Sequence, residues 1–432
     1  MRVFMLGWEF PPFISGGLGT ACYGLTKALD QLGVEITFVL PTLVQTSYAT
    51  HVKLVMPGMK IPQATTRRRT LKNVKFKTIK SPLQPYERPD NYQQRMEESL
   101  QRIRAAHGRA TPSSRGIHYH GDMYKEVHRY ADLAVKLAAE EEFDVVHAHD
   151  WMTYPAGIAV ARATGKPLVV HVHSTEFDRS GEHVNQMVYD IERMGMHAAD
   201  KIIAVSFLTR NIIIGRYGVS GSKVEVVYNG VERNGNGNGN GTAARTGISK
   251  DEKVVLFLGR ITMQKGPDYF LRAAKKVLEK MNNVKFVMVG SGDLMHRAVE
   301  MAAELGIGSK VLFTGFLQGA DVQKIYKMAD LYVMPSVSEP FGIAPLEALD
   351  NDVPVIISKQ SGVAEVLKHA LKVDFWDVDE IANKIIAVLQ HPALGVTLRN
   401  HGNYEVGKLK WSDSAVKCSQ IYEELLVGAE TG

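Results

Sequence analysis

A chain of 432 residues, 45% apolar and 22% charged with a formal net charge of +5, is neither disordered nor fibrous in composition. It is too long for one hydrophobic core, so two domains of roughly 200 residues each are expected. Two cysteines at opposite ends, Cys22 and Cys418, exclude a disulfide framework and offer no metal-ligand spacing; with no apolar run near the ~20 residues of a membrane span, a soluble, cytoplasmic protein without a transmembrane segment is expected.

Short β-branched runs alternate with longer helical patterns, the rhythm of parallel βαβ units. Val3–Leu6 is the first strand, too short for a signal sequence and running into Trp8-Glu9-Phe10-Pro11-Pro12. Further strands are expected at Glu35–Val39, Val145–His147, Leu168–His171, Lys201–Val205 and Val224–Val227, then at Val254–Leu258, Lys285–Val289, Val311–Thr314, Leu331–Met334 and Val353–Ile356. The stretch from about 48 to 115 departs from this rhythm. Lys and Arg outnumber acids there, and it reads as a solvated basic insertion rather than a surface for an anionic partner; no nucleic-acid partner is expected. The run Asn234–Gly241 has almost no apolar surface and reads as a loop within a linker, 233–250. The expected organisation is a first domain over 1–232, a second over 251–403, and a terminal helical segment, 404–432, that could return to the first domain.

Four constellations carry chemistry. Ser15-Gly16-Gly17-Leu18-Gly19-Thr20 follows the first strand and opens a helix, where backbone N–H groups can approach an anion; a structural tight turn is the competing reading. The spacing does not fit a dinucleotide fingerprint, and the second strand ends at Leu40-Pro41 without an acid for a ribose. Arg260 and Lys265-Gly266 follow the strand Val254–Leu258, placing two cations where an open α/β sheet binds ligands, which suits a diphosphate. In Ser338–Leu349, Glu339 lies in a loop, Gly342 permits close backbone approach, and Glu347 lies about one turn into a helix. Finally, His147, His149, His171 and His173 cluster at two strand ends. His147 and His149 are expected on opposite strand faces, which argues against a shared metal and favours hydrogen bonding to a sugar.

Together and in this order, Gly16–Leu18, Val146-His147-Ala148-His149-Asp150-Trp151, His173, Asn229-Gly230-Val231, Arg260, Lys265-Gly266 and the pair Glu339 and Glu347 resemble the glycogen and starch synthase-like retaining glycosyltransferases of families four and five. The resemblance implies the GT-B fold, two Rossmann-like parallel-sheet domains facing a central cleft. It further implies a nucleoside-diphosphate glucose donor, UDP- or ADP-glucose, an α-1,4-glucan or other glycan acceptor, and no required cofactor or metal. The alternatives are a related transferase acting on a small sugar phosphate, lipid-linked or surface-polysaccharide acceptor, and a non-catalytic glycan-binding protein, against which the intact Arg260, Lys265, Glu339 and Glu347 argue. Arg260 and Lys265 would hold the donor diphosphate, approached by Gly17. Glu339 would meet the donor sugar near its reacting end and His173 would support that sugar from the opposite domain. Phe341, Gly342 and Ile343 would bind sugar and phosphate through this loop, Glu347 the ribose, and Phe316, or its neighbour Leu317, the nucleobase. Asp150 and Asn229 would lie on the acceptor side. One departure is Ile14, which stands where bacterial glycogen synthases usually carry a Lys.

Overall fold

The structure, a computed structural model, describes residues 1–10, 16–42, 72–81, 123–233, 248–249, 251–317 and 319–430. The Asn/Gly-rich run, Ile14, Ser15 and most of the basic stretch lie outside the described residues.

Arg2–Leu6 (β1), Glu35–Thr42 (β2), Val74–Lys80 (β3), Val145–His149 (β4), Leu168–Val172 (β5), Lys201–Ala204 (β6) and Val224–Val226 (β7) form one parallel sheet in the order β3-β2-β1-β4-β5-β6-β7. Between them run Gly17–Gln31 (α1), Met123–Ala138 (α2), Tyr154–Thr164 (α3), Glu176–Ser180 (α4), Gln186–Ala198 (α5) and Phe207–Tyr217 (α6). Lys253–Leu258 (β8), Val284–Val289 (β9), Val311–Gly315 (β10), Leu331–Met334 (β11), Val355–Ser358 (β12) and Leu371–Val373 (β13) form a second parallel sheet in the order β10-β9-β8-β11-β12-β13. Its helices are Pro267–Leu278 (α7), Met295–Glu304 (α8), Ala320–Met328 (α9), Ala344–Asp350 (α10), Val363–Val366 (α11), Val378–Gln390 (α12) and Pro392–Val406 (α13), and Trp411–Glu430 (α14) ends the chain.

The strand order explains where a site must lie. In each sheet the chain winds outward one way from the first strand, then restarts on its other side, at β1/β4 and at β8/β11. Loops leaving the carboxyl ends of those strands diverge there and open a crevice. The expected GT-B architecture of two parallel α/β domains is therefore present. Its strands read as continuous apolar runs because helices cover both faces, and all five residues of β4 and of β5 are buried, histidines included.

Within the stretch expected to break the βαβ rhythm, Val74–Lys80 is the edge strand β3, pairing with all seven residues from Ile36 to Thr42. Phe76 anchors it against Phe10 and Phe38, ring centroids 4.8 and 5.9 Å away, while Lys75 and Lys77 both pair with Glu141 at 2.8 and 3.0 Å. At the other terminus α14 crosses back to the first domain. Trp411, Cys418 and Tyr422 belong to its core, and a Cβ on Gly24 of α1 would overlap the Trp411 indole, so glycine is what lets the two helices meet. Among the described residues no single helix is long and apolar enough to cross a membrane.

Candidate functional site

The second domain supplies the cations. Arg260 and Lys265 lie in the loop after β8, and the neighbouring loops are stitched to it: Ile261 N donates to Ser291 O at 2.9 Å and Gly290 N to Gly315 O at 2.9 Å. Arg260 Nη2 donates to Gln264 Oε1 at 3.3 Å, and Gln264 O accepts from Val337 N at 2.9 Å, linking the β8 loop to the β11 loop. Across that link Lys265 forms an ion pair with Glu339, whose carboxylate also accepts from Ser336 Oγ at 3.2 Å. Lys265 and Glu339 thus meet at the β8/β11 switch point, with Arg260 in the same β8 loop as Lys265.

Gly342 has φ +102°, a conformation side chains rarely adopt, and it turns the loop into α10. Glu347, in the first turn of α10, accepts from Tyr326 Oη at 3.0 Å, and burial raises its carboxyl above the usual range. Ile343, partly buried, packs against cores of both domains. Phe316, just after β10, is 50% exposed, which leaves its ring open to a planar partner. Phe341 is a correction. Its side chain is 2% exposed and packs 5.9 Å from Tyr228, so it is core, and its carbonyl is occupied by Val363 N at 2.7 Å.

The first domain faces this with loops after β1, β4 and β5. Gly17 is exposed at the start of α1, and a Cβ there would meet nothing within 4 Å, so its backbone is open to a ligand. Asp150 follows β4 with φ +58°, a strained position for a non-glycine residue. Its Oδ1 accepts from the amides of His173, at 2.7 Å, and Ser174, at 3.3 Å, so the carboxylate holds the β5 loop rather than pointing freely at an acceptor. Burial pushes its pKa up to about 7, opposed by the Arg179 charge and those two amides. Asn229 is buried in the segment that crosses between the sheets, beside Val231, whose N–H donates to Leu409 O at 3.0 Å.

The histidines overturn the expected facing. Residues i and i+2 of a strand share a face, and the His147 and His149 rings stack 4.4 Å apart; His171 and His173 stack at 4.1 Å and His149 lies 5.2 Å from His171. His147 Nδ1 ties the block to Tyr422 Oη at 2.5 Å, and within the block His149 Nδ1 bonds to His173 Nε2 at 2.9 Å. Burial keeps the rings neutral, with His147 and His173 lowered to about 3. His147, His149 and His171, and also Cys22, His149 and His173, bring ligand atoms within 4.8 Å of one another. The ring planes lie about 20–30° from parallel.

Residues 92–234 match the family described as Glycosyltransferase Family 4, and residues 242–403 match Glycosyl transferases group 1. The chain carries glycosyltransferase domains of family 4 and group 1. This glycosyltransferase is 28% identical over 437 residues, 98% of each chain, to an uncharacterized glycosyltransferase of Methanocaldococcus jannaschii. It is 23% identical over 434 residues to a glycogen synthase of Mycobacterium tuberculosis, covering 98% of this chain and 94% of that one. Among solved structures it shares the fold of sucrose-phosphate synthase from Thermosynechococcus elongatus, with TM-score 0.72, 18% identity and 99% of each chain covered. It also shares that of the Anabaena protein HepE in complex with UDP-glucose, with TM-score 0.66, 16% identity, and 98% and 100% covered.

Two features of the glycosyltransferase were not anticipated from sequence. Glu9, fully buried just after β1, accepts the Gly19 amide of α1 at 2.9 Å, so that N–H is committed inside the protein. Its signal was an acid set among Trp8, Phe10 and two prolines. The second is a cavity of about 170 Å³ between the domains, lined by Thr20 and Tyr23 of α1, by Ile343, Glu347 and Asn351 around α10, and by Trp411.

Proposed function

We propose that this chain is a retaining hexosyltransferase that moves glucose from UDP- or ADP-glucose to the non-reducing end of an α-1,4-glucan. The donor half is 251–403 and the acceptor half 1–232. The observation that carries the reading is the Lys265–Glu339 ion pair at the β8/β11 switch point, on the loop that also carries Arg260. Breaking the bond between the anomeric carbon and the β-phosphate oxygen builds negative charge on the departing diphosphate. Arg260 and Lys265 would stabilise that charge as fixed cations, with no metal needed. The acceptor 4-hydroxyl attacks from the face the phosphate leaves, its proton passes to a phosphate oxygen, and nucleoside diphosphate is released. Glu339 would bind the sugar near its reacting end and His173 would support it from the first domain. Phe316 would flank the base, Glu347 would take the ribose, and Gly342 with Ile343 would lend backbone to sugar and phosphate. Asp150 acts on the acceptor side by holding the β5 loop, and Asn229 lies on the same side. A cytoplasmic location belongs to this reading.

The similarity to glycogen synthase, 23% over nearly the full length, supports a glucan acceptor. The test is release of nucleoside diphosphate from each donor with glycogen, maltooligosaccharides or fructose 6-phosphate. Stimulation by glucans is expected; stimulation by the sugar phosphate alone would replace the glucan with a small phosphorylated acceptor.

A further inference from the structure

Glu339 is flanked on both sides by bonds to the opposite domain. Before it, Ser338 Oγ donates to Asp178 Oδ1 at 2.5 Å; after it, the Pro340 carbonyl accepts from Ser206 Oγ at 2.6 Å and Thr209 Oγ1 at 3.4 Å. Both anchors in the first domain are themselves set by helix starts. Asp178 Oδ2 accepts from the Thr175 amide and hydroxyl at 2.7 and 2.8 Å, a capping box at the start of α4. Ser206 caps α6 and accepts from Thr209 N at 3.0 Å. Within its own domain Glu339 is held by its backbone, with its N–H donating to Gln360 O and its carbonyl accepting from Gly362 N, both at 2.9 Å.

We infer that Ser338 with Asp178, and Ser206 with the Pro340 carbonyl, are positioning contacts through which closure of the two domains places the Glu339 carboxylate beside Lys265. The inference rests on the role proposed above for Glu339. The two bonds lie one residue to either side of it, so separating the domains breaks both and leaves the segment that carries the carboxylate held only from its own domain. A displacement of about 1 Å in such a group can cost a hundredfold in rate. A third contact between the domains serves as a control. Glu365 of α11 accepts from the amides of Phe207 and Leu208 at 2.9 and 2.7 Å and from Tyr228 Oη at 2.9 Å, joining the domains without touching residues 338–340.

The experiment is a double-mutant cycle on the full chain, using whichever donor and acceptor the wild type turns over. Ser338→Ala leaves the Asp178 capping box whole, and thermal melts check that it and Ser206→Ala fold. Each is expected to lower kcat roughly tenfold or more, with the Kd for nucleoside diphosphate within about twofold of wild type. Neither should lower kcat further in a Glu339→Ala background. Glu365→Gln should leave kcat near wild type. Unchanged kcat in both serine variants, an equal further loss without Glu339, or an equal loss from Glu365→Gln each overturns the inference. A wild type active on sugar phosphate but not glucan overturns the acceptor reading alone. A wild type that transfers no sugar overturns both.

Discussion

Lys265 has two anionic partners to serve, Glu339 in its own domain and, in the proposed reaction, the donor diphosphate. Removing either side chain should therefore lower kcat by a hundredfold or more, on the order of 3 kcal/mol of transition-state stabilisation. The stability effects differ. Lys265→Ala strips the cation from a carboxylate only 8% exposed, so its melting temperature should fall more than that of Glu339→Ala; steady-state rates and melts of the two variants check both points. The histidine block makes a pH prediction. His147 in the fold has a pKa of about 3 against an ordinary 6.5, so between those values the unfolded chain binds a proton that the folded chain refuses. Its contribution is whole above pH 6.5 and drains away as pH falls toward 3, by up to about 1.4 kcal/mol per pH unit. Replacing it, as in His147→Gln, should flatten the loss of stability between pH 6.5 and 4 relative to wild type, measured by denaturant unfolding at each pH. An unaltered slope would show that the ring is not held neutral. At this scale the sequence displayed the cations, the acids and the four histidines by type and order. The facing of His147 and His149 was misjudged although strand period two puts them together, and Phe341 was given to the ligand when its ring is core. Side-chain direction is set by packing partners far away in the chain, such as Tyr228 for Phe341.

At the scale of elements, α14 is the least conventional part of the fold, because it follows the second domain and completes the core of the first. Trp411, 9% exposed, fixes it against Gly24. Trp411→Ala should cost about 3–5 kcal/mol of the first domain's stability, since it leaves a large void where two helices meet. Hydrogen exchange should then speed up in α1 and α14 together; protection unchanged in α1 would contradict the packing described. Most strands were legible as β-branched runs bounded by turn residues. β3 was missed because its alternation, Val74-Lys75-Phe76-Lys77, lies in a basic stretch whose charge drew the reading toward a solvated insertion. β13 escaped because three residues carry no period.

For the molecule as a whole, two sheets share the same outward winding, and the helix starts of one domain hold the Ser338–Pro340 loop of the other. The repeated βαβ rhythm made the two-domain architecture readable. The contacts across the cleft were not, since Asp178 and Ser338, or Ser206 and Pro340, are more than a hundred positions apart and carry no local pattern. The central claim is that Arg260 and Lys265 together grip a diphosphate. Calorimetric titration of UDP-glucose and ADP-glucose into wild type, Arg260→Ala and Lys265→Ala tests it most directly. Loss of charge-assisted bonds should weaken binding of the preferred donor roughly 10- to 100-fold in each variant. Wild-type affinity for that donor in both variants would contradict the account.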